Sequence, residues 1–244
     1  MNNQTTLDRF KELKLEGMAN AYEAILKTPI QEQSNYQIIV NRLLEAEHLH
    51  RQQKRTEMYL KLSNIRYNAV IEQVECNPSR NLAPDQLASI SDCSFIQRAE
   101  NVLITGATGC GKSYLACAIG REACSKGYKV YYFGMSRFME KIAITKVEGT
   151  YIKMINSISK ADLFILDDFG LNPLDTITRL AILQILEDRY GIKSTMIISQ
   201  LPTQSWYDYI AEPTLADAIM DRLFSSAHRF DLKGESLRKK TIKI

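Results

Sequence analysis

The residues best suited to chemistry are gathered in one octapeptide, Gly106-Ala-Thr-Gly-Cys-Gly-Lys-Ser113. It fits the pattern G-x-x-x-x-G-K-[ST] at every required position, the signature of a loop that wraps nucleotide phosphates. Its glycines let the backbone turn so that successive N–H groups point inward at phosphate oxygens. Lys112 then reaches the β- and γ-phosphates, and the Ser113 hydroxyl coordinates Mg²⁺. Gly106, Ala107, Thr108, Gly109, Cys110, Gly111, Lys112 and Ser113, with Tyr114 behind them, are the expected nucleotide-binding set. Two carboxylates close the apolar run Leu163-Phe-Ile-Leu-Asp167-Asp168. Asp167 suits a Mg²⁺ ligand, direct or through water, opposite Ser113. Asp168 suits a group that polarises the water attacking the γ-phosphate. Alone, such a pair also suits a turn or a cap; the phosphate loop before it favours the metal. Ser199-Gln200 closes another apolar run. Ser199 or its neighbour either senses the γ-phosphate or only marks a strand exiting into a polar loop. Arg222, in Ala218-Ile-Met-Asp-Arg-Leu-Phe224, suits a γ-phosphate held by a neighbouring subunit. Its plainer alternative is a surface ion pair to Asp217 or Asp221.

These groups need elements to hold them. Asn101-Val-Leu-Ile-Thr105 reads as a buried strand, and Tyr114-Leu-Ala-Cys-Ala-Ile119 as the first turns of a helix, the context a phosphate loop requires. From Glu100 onward strands and helices alternate. Strands are expected at 101–105, 128–133, 162–167, 195–199 and 228–232. Helices are expected near 112–125, 136–145, 151–159, 175–188 and 214–224. Near-continuous apolar strands in such alternation imply an α/β fold, a parallel five-stranded sheet sandwiched by helices. Ligands of such sheets lie outside the carboxyl ends of the strands, where the Gly106–Ser113 loop begins. Upstream, apolar steps of three and four predict a helix over 7–26, stopped by Thr28-Pro29, and a second over about 36–66. Asn77-Pro78-Ser79-Arg80 and Leu82-Ala83-Pro84 then punctuate the chain. The reading is a small all-helical domain over 1–75, a linker over 76–97 and a P-loop domain over 98–244.

Composition narrows the class. The 244 residues are 45% hydrophobic, enough for a proper core. A net charge of +3 does not by itself argue for nucleic acid, but basic residues cluster at Arg51–Arg66, Arg137–Lys160 and Lys233–Lys243. Each cluster is either a solvated face or a phosphate-neutralising surface. The five cysteines form no C-x-x-C pair, which disfavours a disulfide framework or a zinc site. No secretory leader and no apolar run of membrane-spanning length are evident, so a cytoplasmic protein is expected. An Asn-Lys-x-Asp guanine-reading motif is absent from the sequence. No metal triad separate from the nucleotide site is apparent either, which argues against a transposase.

Taken together, Gly106–Ser113, Leu166-Asp-Asp-Phe-Gly170, Ser199-Gln-Leu-Pro202, Asp221-Arg-Leu223 and Gly234-Glu-Ser-Leu-Arg238 resemble the IstB-like ATP-binding proteins. These are AAA+ helper ATPases encoded beside insertion-sequence transposases. Leu13-Lys-Leu-Glu-Gly-Met18 and Leu44-Glu-Ala-Glu47 resemble that family's helical domain. Leu163–Asp168 resembles the Walker B element, where the family often carries Asp-Glu, so Asp168 is one methylene short and hydrolysis is expected to be slow. The resemblance implies an ATP- and Mg²⁺-dependent ATPase, stimulated by DNA. It implies a homo-oligomer around double-stranded DNA, with ATP sites between subunits completed by Arg222, that assists a partner transposase. About a dozen residues follow the last strand, too few for a lid of several helices, so the AAA+ lid is expected to be reduced or absent, with Arg238 as a stand-in sensor. Lys141, Lys146 and Lys153 are expected on a DNA-facing channel, with Arg51, Lys54 and Arg55 as a second contact. The competing readings are a helicase loader of the DnaC type, which would favour single strands, and a nucleotide-gated binding module with little turnover.

Overall fold

The computed structural model describes residues 3–27 and 35–237; the Thr28-Pro29 stop and Arg238 lie outside them. The chain divides into two compact units, Met1–Met58 and Tyr59–Ile244.

The first unit holds α1 (Asn3–Glu12), α2 (Glu16–Leu26) and most of α3 (Tyr36–Ser63). The helix expected over 7–26 is therefore two. Lys14 adopts a left-handed φ of 56°, and the Leu15 N–H returns to the Phe10 carbonyl at 2.8 Å, a chain-reversing helix stop built without glycine. Apolar spacing alone does not register that break, because Phe10 and Tyr22 still meet edge to face at 5.7 Å across the turn. α2 then packs on α3 with almost no gap. A Cβ on Gly17 would lie 2.4 Å from the Ala46 carbonyl oxygen. The buried Glu47 carboxylate accepts the Met18 N–H at the start of α2 (3.2 Å) and pairs with Arg51 at 2.7 Å. An anion at a helix N-terminus is favourable in its own right.

The second unit is a five-stranded sheet of β1 (Asn101–Gly106), β2 (Val130–Gly134), β3 (Leu163–Phe169), β4 (Ser194–Ser199) and β5 (Ala227–Leu232). The order is β2-β3-β4-β1-β5, with every neighbouring pair parallel. Strand side chains alternate between faces. Val102, Ile104, Leu163, Ile165, Met196 and Ile198 thus feed one core, while Leu103, Phe164, Leu166 and Ile197 feed the other. α6 (Lys112–Ser125) covers the first face; α7 (Met135–Val147), α8 (Tyr151–Ser159), α9 (Thr176–Arg189) and α11 (Pro213–Phe224) cover the second. A short α10 (Trp206–Ile210) precedes α11. The expected five strands and their order of helices are therefore found, and no α-helix follows β5 among the described residues.

Residues 59–97 differ from expectation. The last turn of α3 and the segment after it pack into the second unit. Leu82, Ile90, Cys93, Phe95 and Ile96 are buried in the first core, joined by Tyr59, Leu60, Ile65 and Val74. The punctuating residues are real turn-formers serving a packed segment. Asn77 caps a short 3₁₀ turn by accepting the Arg80 N–H at 3.0 Å, and Pro84 opens α4 (Pro84–Ser91), which α5 (Ser94–Gln97) follows. Among the described residues no helix is long and apolar enough to cross a membrane.

The tight α2–α3 crossing gives a direct test. Gly17→Ala forces a methyl into backbone and is expected to destabilise the first unit by about 1–3 kcal/mol. Urea denaturation followed by circular dichroism would show an earlier transition; an unshifted curve would contradict the close approach.

Candidate nucleotide site

β1 delivers the chain to the carboxyl edge of the sheet at Gly106, and α6 starts six residues later at Lys112. The turn between them is possible only with glycine at its tightest points. Gly106 has φ 139°, and a Cβ there would lie 2.0 Å from the Leu232 carbonyl oxygen; Gly109 has φ 85° and is backed by Ser236. The loop curls around Lys112. Its ammonium, on a residue only 7% exposed, donates to the Gly106 carbonyl at 2.7 Å and the Ala107 carbonyl at 2.9 Å. The first N–H groups of α6 open onto the same place, giving positive potential from the helix end and from Lys112 together.

The loop is braced from outside. Arg80, 7% exposed, donates to the Cys110 carbonyl at 3.0 Å and to Glu75 at 3.1 Å, while its own carbonyl accepts the Lys233 N–H at 3.0 Å. The Leu237 N–H donates to the Gly109 carbonyl at 3.0 Å, and the Thr108 hydroxyl donates to Gln200 at 2.7 Å. Two cavities flank the loop and share Gly111, Tyr114 and Leu237. One, of about 320 Å³, is lined by Val74, Leu82, Leu115 and Leu232 and suits a base. The other, of about 360 Å³, is lined by Lys112, Ser113, Asp168 and Gln200 and suits phosphates.

Asp167, near the carboxyl end of β3, is fully buried. Its Oδ2 accepts the Tyr132 hydroxyl at 2.5 Å and its Oδ1 accepts the Asp168 N–H at 2.7 Å. Burial and the adjacent carboxylate push the Tyr132 phenol far above its ordinary value, so it stays a proton donor. The donor set of Ser113 hydroxyl and Asp167 carboxylate is hard oxygen, which fits Mg²⁺ completed by phosphates and water. At Asp168 the strand is irregular: φ is 61°, the β3–β4 register shifts between Leu166 and Phe169, and its Oδ2 lies 3.6 Å from Arg66 Nη1. A non-glycine residue in the left-handed region is uncommon, and Asp168 lines the phosphate-side cavity from it.

Other expected residues are placed differently. Ser199 is fully buried, and its hydroxyl is committed to the Phe169 carbonyl at 2.5 Å. It lines neither cavity; Gln200 is the group that reaches the loop. Arg222 lies in the last turn of α11 at the opposite edge of the sheet, where its carbonyl accepts the side-chain amide of Asn101, the first residue of β1. A six-residue strand separates the two edges by about 17 Å. Arg222 is thus outside its own chain's site, and it pairs with Glu187 at 3.0 Å rather than with Asp217 or Asp221. Lys141 and Lys146 on α7 and Lys153 on α8 are all exposed, with Lys146 over the Tyr151 ring at 5.0 Å. Arg51 and Lys54 are engaged by Glu47 and Glu16, and Arg55 is exposed. Tyr132, Arg66 and Arg80 were not legible as site residues. Tyr132 sat in an apolar strand, Arg66 in a basic run and Arg80 among turn-formers.

Comparison with known proteins agrees with this geometry. A family model described as IstB-like ATP binding protein matches residues 8–243. The insertion sequence ATP-binding protein y4pL of Sinorhizobium fredii (strain NBRC 101917 / NGR234) is 38% identical over 96% of this chain and 96% of its own length. The IS1162 ATP-binding protein of Pseudomonas fluorescens is 33% identical over 84% of this chain and 89% of its own. Among solved structures, the DnaC helicase loader aligns with a TM-score of 0.54 at 22% identity, covering 68% of this chain and 98% of that one. AMPPCP-bound DnaA from Aquifex aeolicus aligns at 0.58 and 19%, covering 74% and 56%. At these identities the structural likeness concerns the fold.

Tyr132→Phe removes a side-chain donor held against buried Asp167 with little change in shape. It is expected to cost about 1–3 kcal/mol of stability and to raise the Mg²⁺ concentration needed for nucleotide binding. Titrating Mg²⁺ against a fluorescent nucleotide would check it; an unchanged midpoint would mean the phenol does not position Asp167.

Proposed function

This chain belongs to the family of IstB-like ATP-binding proteins, and on that premise we propose that it is a cytoplasmic AAA+ ATPase serving transposition. It binds ATP with Mg²⁺, assembles on double-stranded DNA and assists the transposase of its own insertion sequence. The observation that carries the reading is the separation of Lys112 and Asp167 on one edge of the sheet from Arg222 on the other. A site whose parts lie on opposite edges is completed by stacking subunits head to tail, a heterologous contact that generates rings or helices.

The roles follow from the geometry. Backbone N–H groups of 107–113 and the Lys112 ammonium bind the phosphates once Lys112 exchanges its two loop carbonyls for phosphate oxygens. Ser113 and Asp167 would hold Mg²⁺, which would supply neutralisation of charge developing on the phosphate oxygens. Asp168 orients the attacking water from the phosphate-side cavity. Gln200, through Thr108, ties the end of β4 to the loop and reports its state. Arg222 of the next subunit must leave Glu187 to reach the γ-phosphate, so assembly and catalysis share one ion-pair exchange. Exposed Lys141, Lys146 and Lys153 neutralise DNA phosphates without reading sequence. The relatives matched along nearly the whole chain carry insertion-sequence names, which supports this task over helicase loading.

Lys112→Ala is expected to weaken ATP binding by tenfold or more, on the order of the 1.4 kcal/mol or above that a charge-assisted hydrogen bond supplies. Arg222→Ala is expected to keep ATP affinity and lose at least about 10³ in turnover, the scale of an arginine finger. Mixing the two inactive variants should restore part of the turnover, because one supplies the loop and the other the arginine. Calorimetry and phosphate release would check both; a mixture as inactive as its components would contradict completion between subunits.

A further inference from the structure

β5 ends at Leu232, and the described residues after it, 233–237, cross to the phosphate loop. Three contacts hold them. The Lys233 N–H donates to the Arg80 carbonyl at 3.0 Å. Gly234 turns the chain with φ 101°, and a Cβ there would lie 3.3 Å from the Ser79 carbonyl oxygen. The Leu237 N–H donates to the Gly109 carbonyl at 3.0 Å, next to Ser236, whose Oγ would lie 2.2 Å from a Cβ on Gly109. The segment is thus a strap, tied to the turn at 78–80 at one end and to the phosphate loop at the other. Neither the phosphate contacts nor the Mg²⁺ ligands make use of it.

The strap brings one apolar side chain to the site. Leu237 is half-buried, and a Cβ on Gly111 would lie 3.2 Å from its Cδ1, so the side chain rests on the loop. It lines both the apolar cavity of about 320 Å³ and the phosphate-side cavity of about 360 Å³. The other residues common to both linings, Gly111 and Tyr114, belong to the loop and to α6. A nucleotide laid across the two cavities has its sugar at their junction, its base on one side and its phosphates on the other. Leucine has no donor to offer a phosphate. It does offer hydrocarbon to the sugar and to the face of a base, continuing the wall made by Val74, Leu82, Leu115 and Leu232. Covering that hydrocarbon with a flat ring removes apolar surface from water on both partners, which is favourable.

We propose that residues 234–237 form a nucleoside clamp. Leu237 closes over the ribose and base of the bound nucleotide, and its N–H ties that contact to the Gly109 carbonyl of the phosphate loop. Filling the base cavity therefore also steadies the loop. The proposal rests on the ATP-binding reading above and deepens it, since it names the residue that holds the nucleoside half of the ligand.

The test compares two ligands on the full chain with Mg²⁺ present: ATP, and inorganic tripolyphosphate, which has no nucleoside. The wild type is expected to bind ATP more tightly. Leu237→Ala is expected to weaken ATP binding about four- to fifteenfold, the factor that one or two buried methylenes supply. Its affinity for tripolyphosphate should stay within about twofold of wild type on the same scale. Leu237→Met, which conserves volume, should keep ATP affinity within about twofold. Gly234→Ala strains the strap without touching either cavity, and should weaken ATP alone by about two- to fivefold. Equal losses for the two ligands in Leu237→Ala would overturn the clamp, because a part that only braced the loop would behave so. Unchanged ATP affinity in that variant would overturn it as well. A wild type that binds tripolyphosphate as tightly as ATP overturns the clamp and leaves the phosphate loop standing. A wild type that binds neither ends the ATP-binding reading, and the clamp with it.

Discussion

The site depends on one chain reversal, between a strand that cannot leave the core and a helix that must start beside it. β1 is buried on both faces, so its polar output is confined to its carboxyl end. There the backbone has five residues in which to turn onto α6. The turn closes only because Gly106 has no side chain to strike β5, and it stays open at its centre because Lys112 fills it. Arg80 from one side and the Leu237 N–H from the other hold its outer rim. A phosphate group entering the loop thus meets donors already oriented, and the cost of arranging them is met during folding rather than at binding.

The same sheet underlies the proposed coupling of chemistry to assembly. Parallel strands put all carboxyl ends on one edge, and Asp167, Asp168 and Gln200 arrive there with the loop. Arg222 sits on the other edge because α11 returns the chain to the start of β1. No small motion inside the chain bridges that distance, whereas translation of a neighbouring copy does. Asp168 lines both the cavity beside the loop and the cleft beside Arg66.

Legibility in the sequence followed how local each constraint was. The phosphate loop and the five strands were readable, because fixed spacings and continuous apolar runs encode them. Three things were not. The break at Lys14 uses a left-handed lysine where glycine is usual. The segment 76–97 carries linker-like prolines and asparagines, yet its Leu82, Ile90 and Phe95 belong to the core, and only contact across the fold reveals that. Ser199 stands in the chain where a phosphate sensor would, but its hydroxyl is committed to the Phe169 carbonyl, and Gln200 is the residue that meets the loop. Tyr132 and Arg66 meet Asp167 and Asp168, which lie far along the chain, so sequence spacing does not reveal the contacts.

The most direct measurement is ATP turnover per subunit across a range of protein concentrations, with and without duplex DNA at fixed salt. A site completed by a neighbour predicts specific activity that climbs with concentration to a plateau, reached at lower concentration when DNA gathers the subunits. Specific activity independent of concentration, unchanged by DNA, would show each chain working alone and would contradict the account.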